Sequence, residues 1–255
     1  MAAASPQPIP RREALVELLA EAGLLGQVQM GVPLPVDAPE HPTTIAPQSD
    51  GLAEEDSFPL DALLRPLERP NRGALIEITG APSSGRTALA YRIAAGAVAR
   101  GQLVGWVDYT NALDPRFLRR SGLDLRSLLW VRPERIEAAL RSAELLLKTG
   151  FAVVVLDLAD IRNNETSRLT PSVWSRLLKA VHRERASVVV LGAERMTGSF
   201  ATLGLYSERK RALFDRGLFE GLESQAQVLR NRNGPLDMEF PFRVLHRPAP
   251  TPSPS

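Results

Sequence analysis

Five short runs of aliphatic and β-branched residues punctuate the middle of this chain: Ala74–Thr79, Leu103–Asp108, Leu128–Pro133, Ala152–Leu158 and Ser187–Ala193. Between them lie stretches of helical length, Thr87–Arg100, Arg135–Gly150 and Pro171–Arg185. Strand and helix in alternation leave few solutions. Successive strands joined by a helix run parallel, and a parallel sheet must be covered on both faces, so an α/β core with a mainly parallel sheet flanked by helices is expected. Ligands of such a core sit at the carboxyl ends of the strands. After residue 200 the pattern changes to short β-rich runs, Ala212–Phe219, Gln225–Asn231 and Met238–Leu245, divided by Gly221 and the turn Asn233-Gly234-Pro235. These are predicted to extend the sheet in antiparallel fashion.

The ends of the chain differ from this core. Residues 1–30 contain an amphipathic pattern from Arg11 to Leu25, with Glu13, Glu17 and Glu21 on one stripe, Leu15, Leu18, Leu19, Ala22 and Leu25 on the other, and an end near Gly26. Residues 31–50 hold Pro33, Pro35, Pro39, Pro42 and Pro47 and read as a Pro-rich linker. A helix on such a linker either docks on its own domain or captures a partner. The core is assigned to residues 51–246, and the Pro-rich residues 247–255 to a disordered tail.

Several function classes are excluded by composition. There is no cysteine, so disulfides, thiolate nucleophiles and zinc ribbons are out, and His41, His182 and His246 are too scattered to form a ligand set. A metal would have to arrive with a nucleotide. No secretory leader and no apolar run near the ~18 residues of a membrane span is visible, and the expected location is cytoplasmic. The formal net charge is only +2 despite a pI near 9.3, so any nucleic-acid binding must rest on local patches. Lysine occurs only at 148, 179 and 210. The preponderance of arginine fits either a GC-rich coding bias or selection for forked recognition of phosphate and carboxylate.

Gly80-Ala81-Pro82-Ser83-Ser84-Gly85-Arg86-Thr87 follows a strand and opens a helix, the setting of a phosphate-cradling loop. Glycines let backbone N–H groups converge on an anion, and the helix adds its positive end. Gly80, Ser83, Ser84, Gly85, Arg86 and Thr87 are the candidate nucleotide-binding residues. Thr87 stands where a hydroxyl would meet Mg²⁺, and Asp157, ending the run Val153–Asp157, is placed to hold the same ion through water. Arg86 is the departure: the pattern requires a lysine, a compact charge that reaches the terminal phosphates, and a planar guanidinium forks differently. The loop is a usable site for ATP or ADP with Mg²⁺, a relic of one, or a turn that binds nothing.

From Gly80 to Asp157 the sequence resembles the core of the bacterial RecA recombinases, through GAPSSGRT, then VDYTNALDPRFLRRSGLDLRSLLWVRP, then FAVVVLDLAD. Asp108, Ala112, Leu113, Asp114, Pro115, Gly122, Asp124 and Leu128 follow that family's order and spacing. The resemblance implies a RecA-like fold, and it also exposes losses. Thr110 stands where the family keeps the glutamate that activates water, and a threonine cannot take that proton at neutral pH. Ala193 stands where a polar residue senses the terminal phosphate. No residue is therefore assigned a catalytic role. The family's two DNA-binding loops would correspond to residues 161–170 and 196–211, with Arg162, Arg168, Arg195, Arg209, Lys210 and Arg211 as DNA or partner contacts. Both loops are shorter than in the recombinases, which makes direct DNA binding weak or indirect. Arg230 and Arg232 match two basic residues that reach a neighbouring protomer; alternatively they are solvated strand-edge arginines.

A short RecA-like chain with a decayed nucleotide site and an added N-terminal helix resembles the ImuA family. What that resemblance implies is an accessory factor of damage-induced, mutagenic translesion synthesis, acting with the polymerase-like ImuB and a specialised replicative-type polymerase. RecA itself is a further expected partner, through surfaces inherited from filament assembly, and a homo-oligomer is expected. Two other readings stand beside it. One is a DNA-dependent ATPase in which Asp108 or Glu194 replaces the missing base; the other is a relative of the SulA cell-division inhibitors, against which the surviving phosphate loop counts.

Overall fold

The structure is a computed structural model that describes residues 20, 28–30 and 73–245, apart from 115–117, 119–122 and 162. The amphipathic segment Arg11–Leu25, the Pro-rich linker and the C-terminal tail lie outside the described residues. Among the described residues nine strands form one sheet in the order β1-β4-β3-β5-β6-β2-β7-β8-β9. They are β1 (Val28–Met30), β2 (Leu75–Gly80), β3 (Val104–Asp108), β4 (Leu128–Val131), β5 (Val153–Asp157), β6 (Ser187–Gly192), β7 (Leu203–Asp215), β8 (Leu218–Asn231) and β9 (Glu239–Leu245). The six from β4 to β7 are mutually parallel, as the alternation requires. Antiparallel pairs lie only at the two edges, β1 on β4 at one and β7, β8 and β9 at the other.

Helices α1 (Arg86–Ala99), α2 (Ile136–Lys148) and α4 (Pro171–Glu184) cover the sheet, with a short α3 (Asn163–Thr166) between β5 and α4. Strand alternation divides the core into two layers. Val153, Val155, Val189 and Leu191 face α1, where Leu89, Ala90, Ile93 and Ala94 are buried. Their neighbours Val154, Leu156, Val188 and Val190 face α2 and α4. On α2 the stripe Ile136, Ala139, Leu140, Ala143, Leu146 and Leu147 is buried at helical spacing, which is why this segment forms a helix against the sheet. Helix α4 starts with Pro171, whose fixed φ suits a first turn, and stops where Arg185 turns left-handed at φ 55°. Among the described residues no helix is long and apolar enough to cross a membrane.

Three expectations are revised. Val28–Met30, at the end of the N-terminal segment, is an edge strand paired with Leu129–Val131. The run Ala212–Phe219 is not one strand: it straddles the turn Arg216-Gly217 of a long β7–β8 hairpin. Residues 203–211, expected in a loop, belong to β7, and β7 joins the parallel core beside β2. The charged run Glu208–Arg211 hid this strand, because it lies past the end of β2, where no buried face imposes alternation on the sequence.

Candidate functional site

Gly80 closes β2, and the chain then turns through five residues into α1. Gly80 has φ 155° and Gly85 φ 94°; Gly85 caps α1 from the left-handed region with no side-chain partner, so the first N–H groups of the helix point into the loop. Ser83, at φ 58°, is exposed, as is Thr87 on the first turn of α1. A side chain at either glycine would collide with the strands behind. A Cβ on Gly80 would lie 2.3 Å from the Ser207 carbonyl oxygen, and one on Gly85 would lie 2.7 Å from the Phe242 ring. Ser207 Oγ donates to the Ser84 carbonyl at 2.7 Å. The loop is thus backed by β7, β8 and β9, and beneath it Ser84 Oγ and Ser224 Oγ have no protein partner among the described residues.

Arg86 does not project outward from this loop. Its side chain is 8% exposed. Nη1 donates to the carbonyl of Gly80 and, at 3.5 Å, to that of Gly192, while Nη2 lies 3.6 Å from Asp160 Oδ1. Since β5, β6 and β2 are neighbours in the sheet, one guanidinium spans the carboxyl ends of β2 and β6 and the turn after β5. A planar fork with several donors can do this; a lysine ammonium offers no such bridge.

Asp157 ends β5 and is buried, with Oδ1 accepting the Ala159 N–H at 3.1 Å. Burial pushes its carboxyl up to about 6, with the charges of Asp108 and Asp160 adding to the effect and the Ala159 N–H and Arg86 opposing it. Asp108, at the adjacent end of β3, is fully engaged. Its Oδ1 accepts from Ala112 N–H at 3.0 Å and Thr110 Oγ1 at 3.4 Å, and its Oδ2 from Leu113 N–H and Trp130 Nε1, both at 3.1 Å. A carboxylate with four donors holds the loop after β3 in place and is not free to act as a base, which corrects its candidacy as the replacement for the missing glutamate. Glu194, the other candidate, is exposed in the connection after β6.

The basic candidates are not gathered into one surface. Arg162 lies outside the described residues. Arg168 pairs with Glu137 of α2. Arg195 is exposed in the connection 193–202, whereas Arg209, Lys210 and Arg211 stand on β7. Lys210 pairs with Glu208, and Arg211 shares Glu223 with Arg243. Arg230 and Arg232 turn inward on their own chain: Arg230 donates to the carbonyls of Ala201 at 2.7 Å and Ser199 at 3.1 Å, and Arg232 to that of Ser199. From the other side Glu77 holds the same connection, accepting the N–H groups of Met196 at 2.6 Å and Thr197 at 2.8 Å and the Thr197 hydroxyl at 2.8 Å. Glu77, Asp160, Ser207 and Phe242 were not anticipated as site residues. Glu77 alone had a local signal, a carboxylate in the middle of the apolar run Leu75–Thr79.

For a nucleotide with Mg²⁺, the fit is divided. The backbone of the loop suits a phosphate, Thr87 is exposed on the first turn of α1, and Asp157 is buried at the end of β5. Arg86, folded onto carbonyl oxygens, does not present its charge to one. No group of three metal-binding side chains is gathered among the described residues, so an ion would depend on the nucleotide for most of its ligands.

Comparison with known proteins agrees with this architecture. Residues 56–165 match the RecA N-terminal domain family. Protein RecA of Chelativorans sp. is 27% identical, covering 69% of this chain and 58% of that protein. Protein RecA of Paramagnetospirillum magneticum is 28% identical, over 68% and 56% respectively. The chain therefore spans less than two thirds of the length of these curated relatives. Among solved structures, a KaiC-like protein of the hyperthermophilic archaeon Pyrococcus horikoshii superposes with a TM-score of 0.50 at 16% identity, covering 69% of this chain and 90% of that one, which supports the fold. Strand order and these similarities together show a RecA-like α/β fold, with sequence similarity to the RecA N-terminal domain over residues 56–165.

Proposed function

We propose that the chain is a RecA-derived accessory factor of damage-induced translesion synthesis, which works by binding an ImuB-like polymerase-related protein and RecA, and that its nucleotide site is degenerate. The observation that supports this reading best is Arg86, whose guanidinium is satisfied by Gly80, Gly192 and Asp160 instead of being offered to a phosphate. Thr110 and the fully bonded Asp108 add to it, since neither can take a proton from water at the end of β3. A scaffold that keeps the recombinase shape without its chemistry is suited to partner recognition. The test is direct binding of the purified full chain to immobilised RecA and to the ImuB-like protein. Micromolar or tighter binding to either supports the reading, and binding to neither sinks it.

A second reading, a DNA-dependent ATPase, draws support from the intact backbone of Gly80 and Gly85 and from Asp157 at its strand end. It requires that single-stranded DNA raise ATP hydrolysis and that Asp157→Ala abolish the increase. A flat response removes it.

A further inference from the structure

Strands β7 and β8 are 13 and 14 residues long, much longer than the core strands beside them. Strand β2 supports β7 only as far as Ser207, and β9 supports β8 only as far as Gly221. The hairpin end from Phe214 to Glu220 therefore has no strand on either side among the described residues, and it stands roughly 25 Å beyond Ser207 at the usual rise of a strand. The arm is closed by Arg216-Gly217, with φ 47° and 80°, the two-residue turn whose twist matches a hairpin.

This end is apolar. Phe214 is 64% exposed, Leu218 74% and Phe219 47%. The two rings face each other across the hairpin, 5.8 Å apart at 72°, as an edge-to-face pair. Single exposed apolar residues are ordinary, but three large ones within six positions at the end of an arm gain nothing for the fold. Charge decides what class of molecule would cover them. Arg209, Arg216, Asp215 and Glu220 form no ion pair among the described residues, and they comprise two charges of each sign. A balanced rim offers no field for nucleic acid or an anionic membrane and suits a protein surface. Size decides the shape. The three side chains present on the order of 300 Å² of apolar surface, well short of the ~800 Å² per partner that a flat dimer of standard size buries. They are the dimensions of an anchor that enters a cleft.

We propose that the tip of the β7–β8 arm is a docking knob, in which Phe214, Leu218 and Phe219 seat in an apolar cleft of a different protein with a polar rim of mixed charge. This rests on the reading of the chain as a protein-binding factor and supplies its contact surface. The test compares full-length wild type with Phe214→Ser/Leu218→Ser, and with Leu218→Ser alone as the milder change, in binding to RecA and to the ImuB-like protein. Thermal unfolding and sedimentation of each chain are measured in parallel. The expected result is at least a tenfold loss of affinity for one partner at unchanged melting temperature, because both residues are exposed. Wild-type affinity of the double variant for both partners overturns the knob and leaves the proposed function standing. Failure of the wild type to bind either protein overturns both. Self-association of the wild type that the variant loses assigns the tip to a second copy of the chain and overturns the choice of a different protein.

Discussion

Replacing Arg86 by alanine takes away a guanidinium shared by two carbonyls and a carboxylate. Buried acceptors left without a donor cost about 1–3 kcal/mol, which in a domain of this size lowers the melting temperature by several degrees. The same change tests the degenerate site. If Arg86 bars the loop, Arg86→Ala and Arg86→Lys bind a fluorescent ATP analogue with Mg²⁺ more tightly than wild type; weaker binding by both would make Arg86 a phosphate ligand after all. Asp157 gives a prediction in pH. Its carboxyl is raised from 3.8 to about 6, so above pH 6 the folded protein holds an ionised group that its surroundings disfavour by about 3 kcal/mol. Between those two values the folded chain binds more protons than the unfolded one, and this contribution to stability is present below pH 4 and lost as the pH rises through 6. Asp157→Asn, which mimics the neutral form, is expected to melt higher than wild type at pH 7.5, with the advantage fading toward pH 4. Melting curves that run parallel across that range would contradict it.

The element that most separates this chain from the expectation of a mobile DNA-binding loop is the connection 193–202. Glu77 grips it at Met196 and Thr197, Arg230 and Arg232 at Ser199 and Ala201, and Thr202 exchanges hydrogen bonds with the backbone of Leu75. Glu77→Gln keeps the shape of the side chain but removes the charge that strengthens three hydrogen bonds. It should cost about 1–3 kcal/mol in urea denaturation and speed amide exchange at Met196 and Thr197, while exchange in β5 stays at the global rate. Of this clamp only Glu77 left a local signal, and its pairings were not legible, because the partners lie as much as 127 residues apart. What could be read was local. The parallel core and its three long helices follow from apolar periodicity, and the phosphate loop from the spacing of Gly80, Gly85 and Thr87. The inward fold of Arg86 could not be read, since one of its acceptors, Gly192, is 106 positions away. The β7–β8 arm was misread because a hairpin standing clear of the core has no reason to alternate.

Among the described residues, positive charge is dispersed and much of it is spent internally. The net charge is +2, and Arg168, Lys210, Arg211, Arg230 and Arg232 all engage acidic side chains or carbonyls of the same chain. Single-stranded DNA should then bind no tighter than the 10⁻⁴–10⁻⁶ M range of non-specific contacts, roughly, at physiological salt, with a salt slope near −1.4 for about two neutralised phosphates. Fluorescence anisotropy across a salt series measures both, and a slope steeper than about −4 would reveal a continuous basic track. The position of β2 has a consequence for how the protein is made. This strand lies between β6 and β7, and the back of the phosphate loop is formed by Ser207 and Phe242. At ordinary rates of synthesis, on the order of ten seconds separate the emergence of Leu75 from that of Thr202, its hydrogen-bond partner 127 residues later. For most of that interval the central strand has neither neighbour, and until β7 and β9 follow the loop lacks the backing that gives it its shape. The phosphate loop is therefore assembled late, only once the last third of the chain has left the ribosome.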